Sequence, residues 1–174
     1  YGSYEQARSS INQALELDPQ LAEAYQVSGL VHNDIGQFQE ALHEFDQATD
    51  LDPDLSDAYV GRANAYLQLG RYREAFGDLD QAITVDPGLA QARVIRAQAH
   101  LALDHHEEAI QELDRAFSLD PRLGQAHALR GQIHLALDEG EEAVSDFRAA
   151  GRLIRNHLAE KYLPLTAGEL RPLI

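Results

Sequence analysis

The sequence predicts an all-α fold built as a stack of antiparallel helix pairs, and three observations carry that expectation. Asp-Pro pairs stand at Asp18-Pro19, Asp52-Pro53, Asp86-Pro87 and Asp120-Pro121, at one constant interval. Two series of alanines keep the same interval: Ala7, Ala41, Ala75, Ala109 and Ala143, then Ala14, Ala48, Ala82, Ala116 and Ala150. Between the breaks, apolar residues recur at three- and four-residue spacing, as in Phe38, Ala41, Leu42, Phe45 and Ala48. That is the stripe of an amphipathic helix and not the alternation of a strand. A fixed period of about 34 residues marks stacked supersecondary units.

Taken in order, residues 1–20 supply one helix, a half repeat, and residues 22–55, 56–89, 90–123 and 124–157 each supply two. Each Asp-Pro ends a helix, because proline lacks the amide donor and moves the residue before it out of the α region. A second break falls within each repeat at Gly36, Gly70, Asp104 and Asp138, where a tight helix-to-helix turn needs glycine or a short polar residue. In the last repeat the Asp-Pro register falls on Ile154-Arg155, which removes the stop. The final helix is therefore expected to run from about Glu141 to about Tyr162, with Phe147, Ala150, Ile154, Leu158 and Tyr162 on one stripe and Gly151 as its weak point. Residues 163–174, apolar and broken by Pro164 and Pro172, are expected to leave the helix as a tail that covers it. With no methionine and an opening half repeat, the chain is expected to be part of a longer polypeptide.

Charge narrows the partners. Lys and Arg total 14 against 29 Asp and Glu, a formal net charge of −15, so nucleic acid and anionic membrane surfaces would be repelled. Without cysteine there is neither a disulfide framework nor a thiolate metal site, and cytoplasm and periplasm both stay open as compartments, the cytoplasm slightly favoured. No apolar run approaches the roughly 18 residues of a membrane span, so direct insertion is not expected.

The repeated residues carry a family resemblance. Tyr25, Ser28, Gly29, His32, Ala41, Phe45 and Pro53, followed in phase by Tyr59, Ala63, Tyr66, Ala75, Leu79 and Pro87, resemble the tetratricopeptide repeat pattern. Two further units follow with Ala97, His100, Ala109, Leu113 and Pro121, and with Gly131, His134, Ala143, Phe147 and Ala150. The resemblance covers residues 1 to about 157. It implies a right-handed superhelical solenoid whose first helices line a concave groove that binds a peptide or partner helix. An interaction scaffold follows from it, with a structural oligomerisation module, associating through the array ends or the tail, as the alternative.

Residues that invite a chemical reading have structural ones. His32, His100 and His134 share the repeat position that Tyr66 fills. Equivalent positions in stacked helices lie roughly 10 Å apart, too far to share an ion bonded at about 2 Å. In His105-His106-Glu107-Glu108 the neighbours point in different directions around a helix, and no spacing puts two histidines on one face. Arg62, Arg96 and Arg130 each precede an acid at the same spacing, Asp78, Glu112 and Asp146, which predicts ion pairs bracing the two helices of a repeat. No phosphate loop, nucleophile elbow or Cys-His arrangement is present. The chain is expected to be no enzyme and to need no cofactor or metal.

By the same resemblance, the groove-facing residues are Gln26, Leu30, Asn33 and Asp34, then Asp57, Val60, Asn64 and Leu67, then Val94, Ile95, Gln98 and Leu101, and last Leu129, Gln132 and Leu135. None is Lys or Arg, so the groove lacks the basic clamp with which some members of the family hold a terminal carboxylate. Asn64, Gln98 and Gln132 stand in register, and each amide can donate to and accept from a peptide backbone. Asp34 and Asp57 favour a basic segment. The expected partner is a protein or peptide, neutral to basic and partly apolar, with self-association as a second possibility.

Overall fold

The computed structural model describes the backbone of residues 2–169 and the side chains of residues 4–156. Its elements are helices throughout the described residues: α1 (Gly2–Leu17), α2 (Ala22–Asp34), α3 (Phe38–Leu51), α4 (Ser56–Gln68), α5 (Tyr72–Val85), α6 (Ala90–Ala102), α7 (His106–Leu119), α8 (Gly124–Ala136) and α9 (Gly140–Glu169). The pairs α2·α3, α4·α5, α6·α7 and α8·α9 pack most extensively, and each pair also packs on the next. The result is an all-α solenoid of helix pairs.

The turns form for reasons already present in the local sequence. Within each pair the chain passes through a left-handed residue, Gly36 at φ 76°, Gly70 at 71°, Asp104 at 59° and Asp138 at 61°. Glycine adopts this region freely, and aspartate is among the few other residues that tolerate it. The amides of Gln37, Arg71, His105 and Glu139 then donate to the carbonyls of His32, Tyr66, His100 and His134 at 2.8–2.9 Å, the six-to-one bond that closes a glycine-type helix end. Between pairs, Asp52, Asp86 and Asp120 take extended conformations ahead of their prolines. Each of these carboxylates, with Asp18, accepts a hydrogen bond from the amide two residues on, at 2.8–3.0 Å. The next helix opens on Leu55, Leu89 or Leu123 with no side-chain cap; these leucines pack into the core instead.

Core packing follows a size rule that repeats along the array. Phe45 of α3 is wholly buried between Gly29 of α2 and Gly61 of α4. A Cβ on Gly29 would stand 2.7 Å from the Phe45 ring and one on Gly61 2.3 Å from it, closer than atoms can approach. In the next repeat the smaller Leu79 takes the place of Phe45, and Ala63 and Ile95 take the places of the glycines. Leu113 pairs in the same way with Ala97 and Leu129. The large residue returns with Phe147, and glycine with it at Gly131, whose Cβ would lie 3.0 Å from that ring.

The final helix departs from expectation. It continues to Glu169, past the expected end near Tyr162. On its described part, Ala150 is buried, but Phe147 is 38% and Ile154 56% exposed, so the stripe is only partly covered. The side chains of Leu158 and Tyr162, and the expected covering by residues 163–174, lie outside the described residues.

Candidate partner-binding surface

Two polar systems run along the array. The first lies in the seams between helix pairs. Arg62 of α4 donates from Nε and Nη2 to both carboxylate oxygens of Asp78 on α5, at 2.8 and 2.7 Å. Its Nη1 donates to Asp46 Oδ1 on α3 at 2.7 Å and to Thr49 Oγ1 at 3.0 Å. Arg130 repeats this, with Asp146 of α9 at 2.8 and 2.9 Å and Asp114 of α7 at 2.7 Å. Arg96 reaches Glu112 of α7 at 3.0 Å and Asp80 of α5 at 2.8 Å. The expected acids that follow the arginines are therefore in place. Each arginine also holds an acid at the same distance behind it in the chain, which ties successive repeats together. The sequence reading misses Asp46, Asp80 and Asp114, although they recur at the repeat period and that recurrence is itself a signal.

The pairs within a repeat are part-buried, and those of Arg62 with Asp78 and Arg130 with Asp146 are forked, whereas Asp46, Asp80 and Asp114, which face them from the preceding repeat, are exposed. Hydrogen bonding to Asp78 outweighs the cost of burial and raises the Arg62 pKa above its ordinary value, and Arg130 is raised in the same way through Asp146. Burial pushes the Asp146 carboxyl up, but hydrogen bonds from Arg130 and His127 and the charges of both pull it below its ordinary value. The histidines of the shared repeat position are structural too. His32 Nδ1 lies 2.8 Å from Gln37 Oε1, His134 Nδ1 lies 2.6 Å from Glu139 Oε2, and the His100 ring packs 4.8 Å from that of Phe76. Burial lowers the His100 pKa. Among the described residues, no three His, Asp or Glu side chains converge as metal ligands would.

The second system lies on the face formed by the first helices. A hollow of about 290 Å³ is lined by Gln26 and Leu30 of α2, Asp57, Val60, Gly61 and Asn64 of α4, and Gln91 and Ile95 of α6. Its origin is a register effect. Val60 packs with Ile95 of the next repeat, and Val94 with Leu129 of the one after. The corresponding neighbour of Gln26 is Gly61, which the Phe45 ring keeps side-chain-free, so the space over Gln26 stays open. Phe45 on the far side of α4 thus shapes the surface on the near side.

Of the residues expected to line a groove, the hollow brings together Gln26, Leu30, Asp57, Val60, Asn64 and Ile95. Val60 and Ile95 form its floor and are themselves mostly buried. Gln98, Leu67 and Leu101 are half-buried further along, and Gln132 and Leu135 are exposed on α8. Val94 is a correction: at 1% exposure it belongs to the core, because Leu129 closes over it. Leu129 is buried in the same cluster, and Leu101 packs against it, so neither offers a free apolar face. Asn33 is also committed internally, its Nδ2 donating to the Gly61 carbonyl at 2.9 Å, which ties α2 to α4. Asp34 is exposed beside Ile35, in a separate hollow with Tyr4, Ala7 and Val31. Gly61 is a part of the surface that the sequence reading misses; the signal is a glycine standing where Val27, Ile95 and Leu129 stand in the other repeats.

The polar groups of the hollow are free. Gln26, Asp57, Asn64 and Gln91 make no side-chain hydrogen bond or ion pair with any described residue, and the same is true of Gln98 and Gln132. No basic side chain lines the hollow.

Comparison with known proteins places the fold. Residues 2–54 and 96–153 match the model of the tetratricopeptide repeat. The chain belongs to the tetratricopeptide repeat family. Residues 34–116 of the array also match the model of anaphase-promoting complex, cyclosome, subunit 3. No curated protein matches the sequence. Among solved structures, the tetratricopeptide protein TTC0263 of Thermus thermophilus superposes with a TM-score of 0.82 at 20% identity, over 97% of this chain and 92% of that one. The Cut9-Hcn1 hetero-tetramer of the APC/C gives 0.83 at 18% identity, over 88% of this chain and 30% of that one. A MamA crystal structure gives 0.71 at 22% identity, over 90% and 92%. At these identities the likeness is one of fold. Arrays of this family generally mediate protein-protein interaction and are generally not enzymes. No helix among the described residues is long and apolar enough to cross a membrane.

Proposed function

We propose that this array holds a partner polypeptide, neutral to basic and partly apolar, on the concave face formed by α2, α4 and α6. One observation carries the reading: the amides and the carboxylate around the hollow have no partner among the described residues, whereas the seam carboxylates of Asp78, Glu112 and Asp146 are paired. Gln26, Asn64 and Gln91 can each donate to and accept from an extended backbone. Leu30, 42% exposed, and the floor of Val60 and Ile95 offer aliphatic area to one or two side chains. Asp57 at the hollow, and Asp34 in its separate hollow at the other end of α2, favour Lys or Arg on the bound segment. The chain acts by holding, without catalysis or a cofactor, as a tetratricopeptide scaffold does. Membership of the Cut9-Hcn1 protein in a hetero-tetramer is consistent with such a role.

The test is capture from source lysate by the parent and by a variant carrying Leu30→Arg, Asn64→Ala and Gln91→Ala, followed by titration of the purified captured protein. These side chains are not core, so both proteins should melt alike. A partner bound by the parent and lost by the variant supports the proposal; a partner bound equally by both removes the hollow from the account. A second reading, self-association, is favoured by the exposed Val144, Phe147 and Ile154 on α9. It predicts a dimer by sedimentation that Val144→Glu with Ile154→Glu dissolves.

A further inference from the structure

The arginine of the seams has a missing member. The register position of Arg62, Arg96 and Arg130 is occupied in the first complete repeat by Ser28, one repeat period before Arg62. The acceptors that would have held an arginine there are partly kept. Glu44 stands in the place of Asp78, Asn12 in that of Asp46, and Tyr25 in that of Tyr59, whose ring lies 5.4 Å from the Arg62 guanidinium carbon. Where the guanidinium is absent there is a cavity of about 190 Å³, and Asn12, Ser28, Tyr25 and Glu44 are among the residues that line it. Glu44 makes no hydrogen bond or ion pair with any described residue. The cavity shares no lining residue with the concave hollow.

We propose that this cavity is a binding site for a guanidinium group supplied from outside the repeat, either as the arginine side chain of a polypeptide or as a small guanidino compound. A carboxylate accepts a forked pair of N–H donors, an amide oxygen takes a third, and an aromatic face lies alongside; one repeat on, Arg62 is held by a similar set, Asp78, Asp46 and the Tyr59 ring. Lysine fits less well, because a point ammonium cannot make the forked contact. Arg8 also lines the cavity; it is exposed and makes no ion pair with any described residue, and its charge opposes an incoming cation.

The test uses the whole chain and amide chemical-shift titration with four probes: N-acetylarginine methylamide, free L-arginine, N-acetyllysine methylamide and the neutral N-acetylcitrulline methylamide. Shifts should centre on Asn12, Ser28 and Glu44. Citrulline should bind roughly tenfold or more weakly than arginine, the loss of one charge-assisted contact, and Glu44→Gln should cost a similar factor. Tighter binding of the blocked arginine points to a polypeptide source, and tighter binding of free arginine to a small molecule; both support the site. Ser28→Arg should fill the slot from within, raise the melting temperature and abolish binding of either probe. Arginine shifts no larger than those of citrulline, or undiminished binding to the Ser28→Arg protein, would overturn the proposal. So would a non-additive loss of stability in Arg8→Gln and Glu44→Gln, since it would show that Arg8 already occupies the slot.

Discussion

Asp78 and Asp57 are the same residue type in one helix pair, and they have opposite circumstances. Asp78 is 8% exposed and takes two hydrogen bonds from Arg62, whereas Asp57 is exposed and takes none from any described residue. A similar contrast separates Asn33, whose Nδ2 donates to the Gly61 carbonyl, from Asn64, whose side chain bonds to no described residue. Under the proposed function, residue type does not separate structural from binding groups in this array; commitment does. In the seams, the carboxylates of Asp78, Glu112 and Asp146 are each matched by an arginine, and these pairs hold helices together. Around the hollow the polar groups are unmatched, which is costly only when buried and useful when a partner supplies the match.

The largest effect expected from breaking this contrast is on the seams. Arg62→Ala leaves the buried Asp78 carboxylate without its cation and frees Asp46, and should cost about 3–5 kcal/mol in denaturant unfolding. Ser28→Ala at the matching position should cost under about 0.5 kcal/mol, as a change away from any paired network does.

Next is the Phe45 sandwich. Gly61→Ala places a methyl against a ring that cannot retreat, and should destabilise by about 1–3 kcal/mol. The double variant Phe45→Leu with Gly61→Ala should recover most of that loss, because Leu79 accommodates Ile95 at the same positions one repeat on. Failure of the double variant to recover would mean that the size rule does not govern the stack.

Acid titration sharpens the seam side of the comparison. The Asp146 pKa is lower in the folded than in the unfolded chain, so its contribution is complete above the ordinary value of 3.8 and is lost as pH falls through the folded value. Asp146→Asn should flatten the acid limb of the stability profile below that pH. A smaller effect comes from His100, whose folded pKa also lies below its ordinary 6.5, because burial disfavours the charged ring. The neutral form is favoured by folding, so stability should decline as pH falls below 6.5, and His100→Tyr, the residue found at the equivalent Tyr66, should remove that decline.

Much of this was legible in the sequence, and the parts that were not share a physical cause. The constant repeat period, the left-handed turns at Gly36, Gly70, Asp104 and Asp138, and the pairing of Arg62 with Asp78 follow from local chemistry repeated in phase. Contacts between repeats were harder. Val94 reads as a groove residue on its own helix and is buried only because Leu129 arrives from the next. Gly61 is not singled out in the sequence reading, and the hollow appears only when that glycine is set opposite Gln26. The final helix passes its expected end because a missing stop signal says where a helix need not end, not where it does.

The smallest expected effect on stability, and the largest on function, is at the hollow itself. A photo-crosslinking side chain placed at Gln91, inside the hollow, and separately at Gln81, on the exposed face of α5, would test the central claim most directly in the presence of the captured partner. The account predicts a crosslinked complex from position 91 and none from position 81. Crosslinking from position 81 with none from position 91 would contradict it, and would move the binding surface off the concave face.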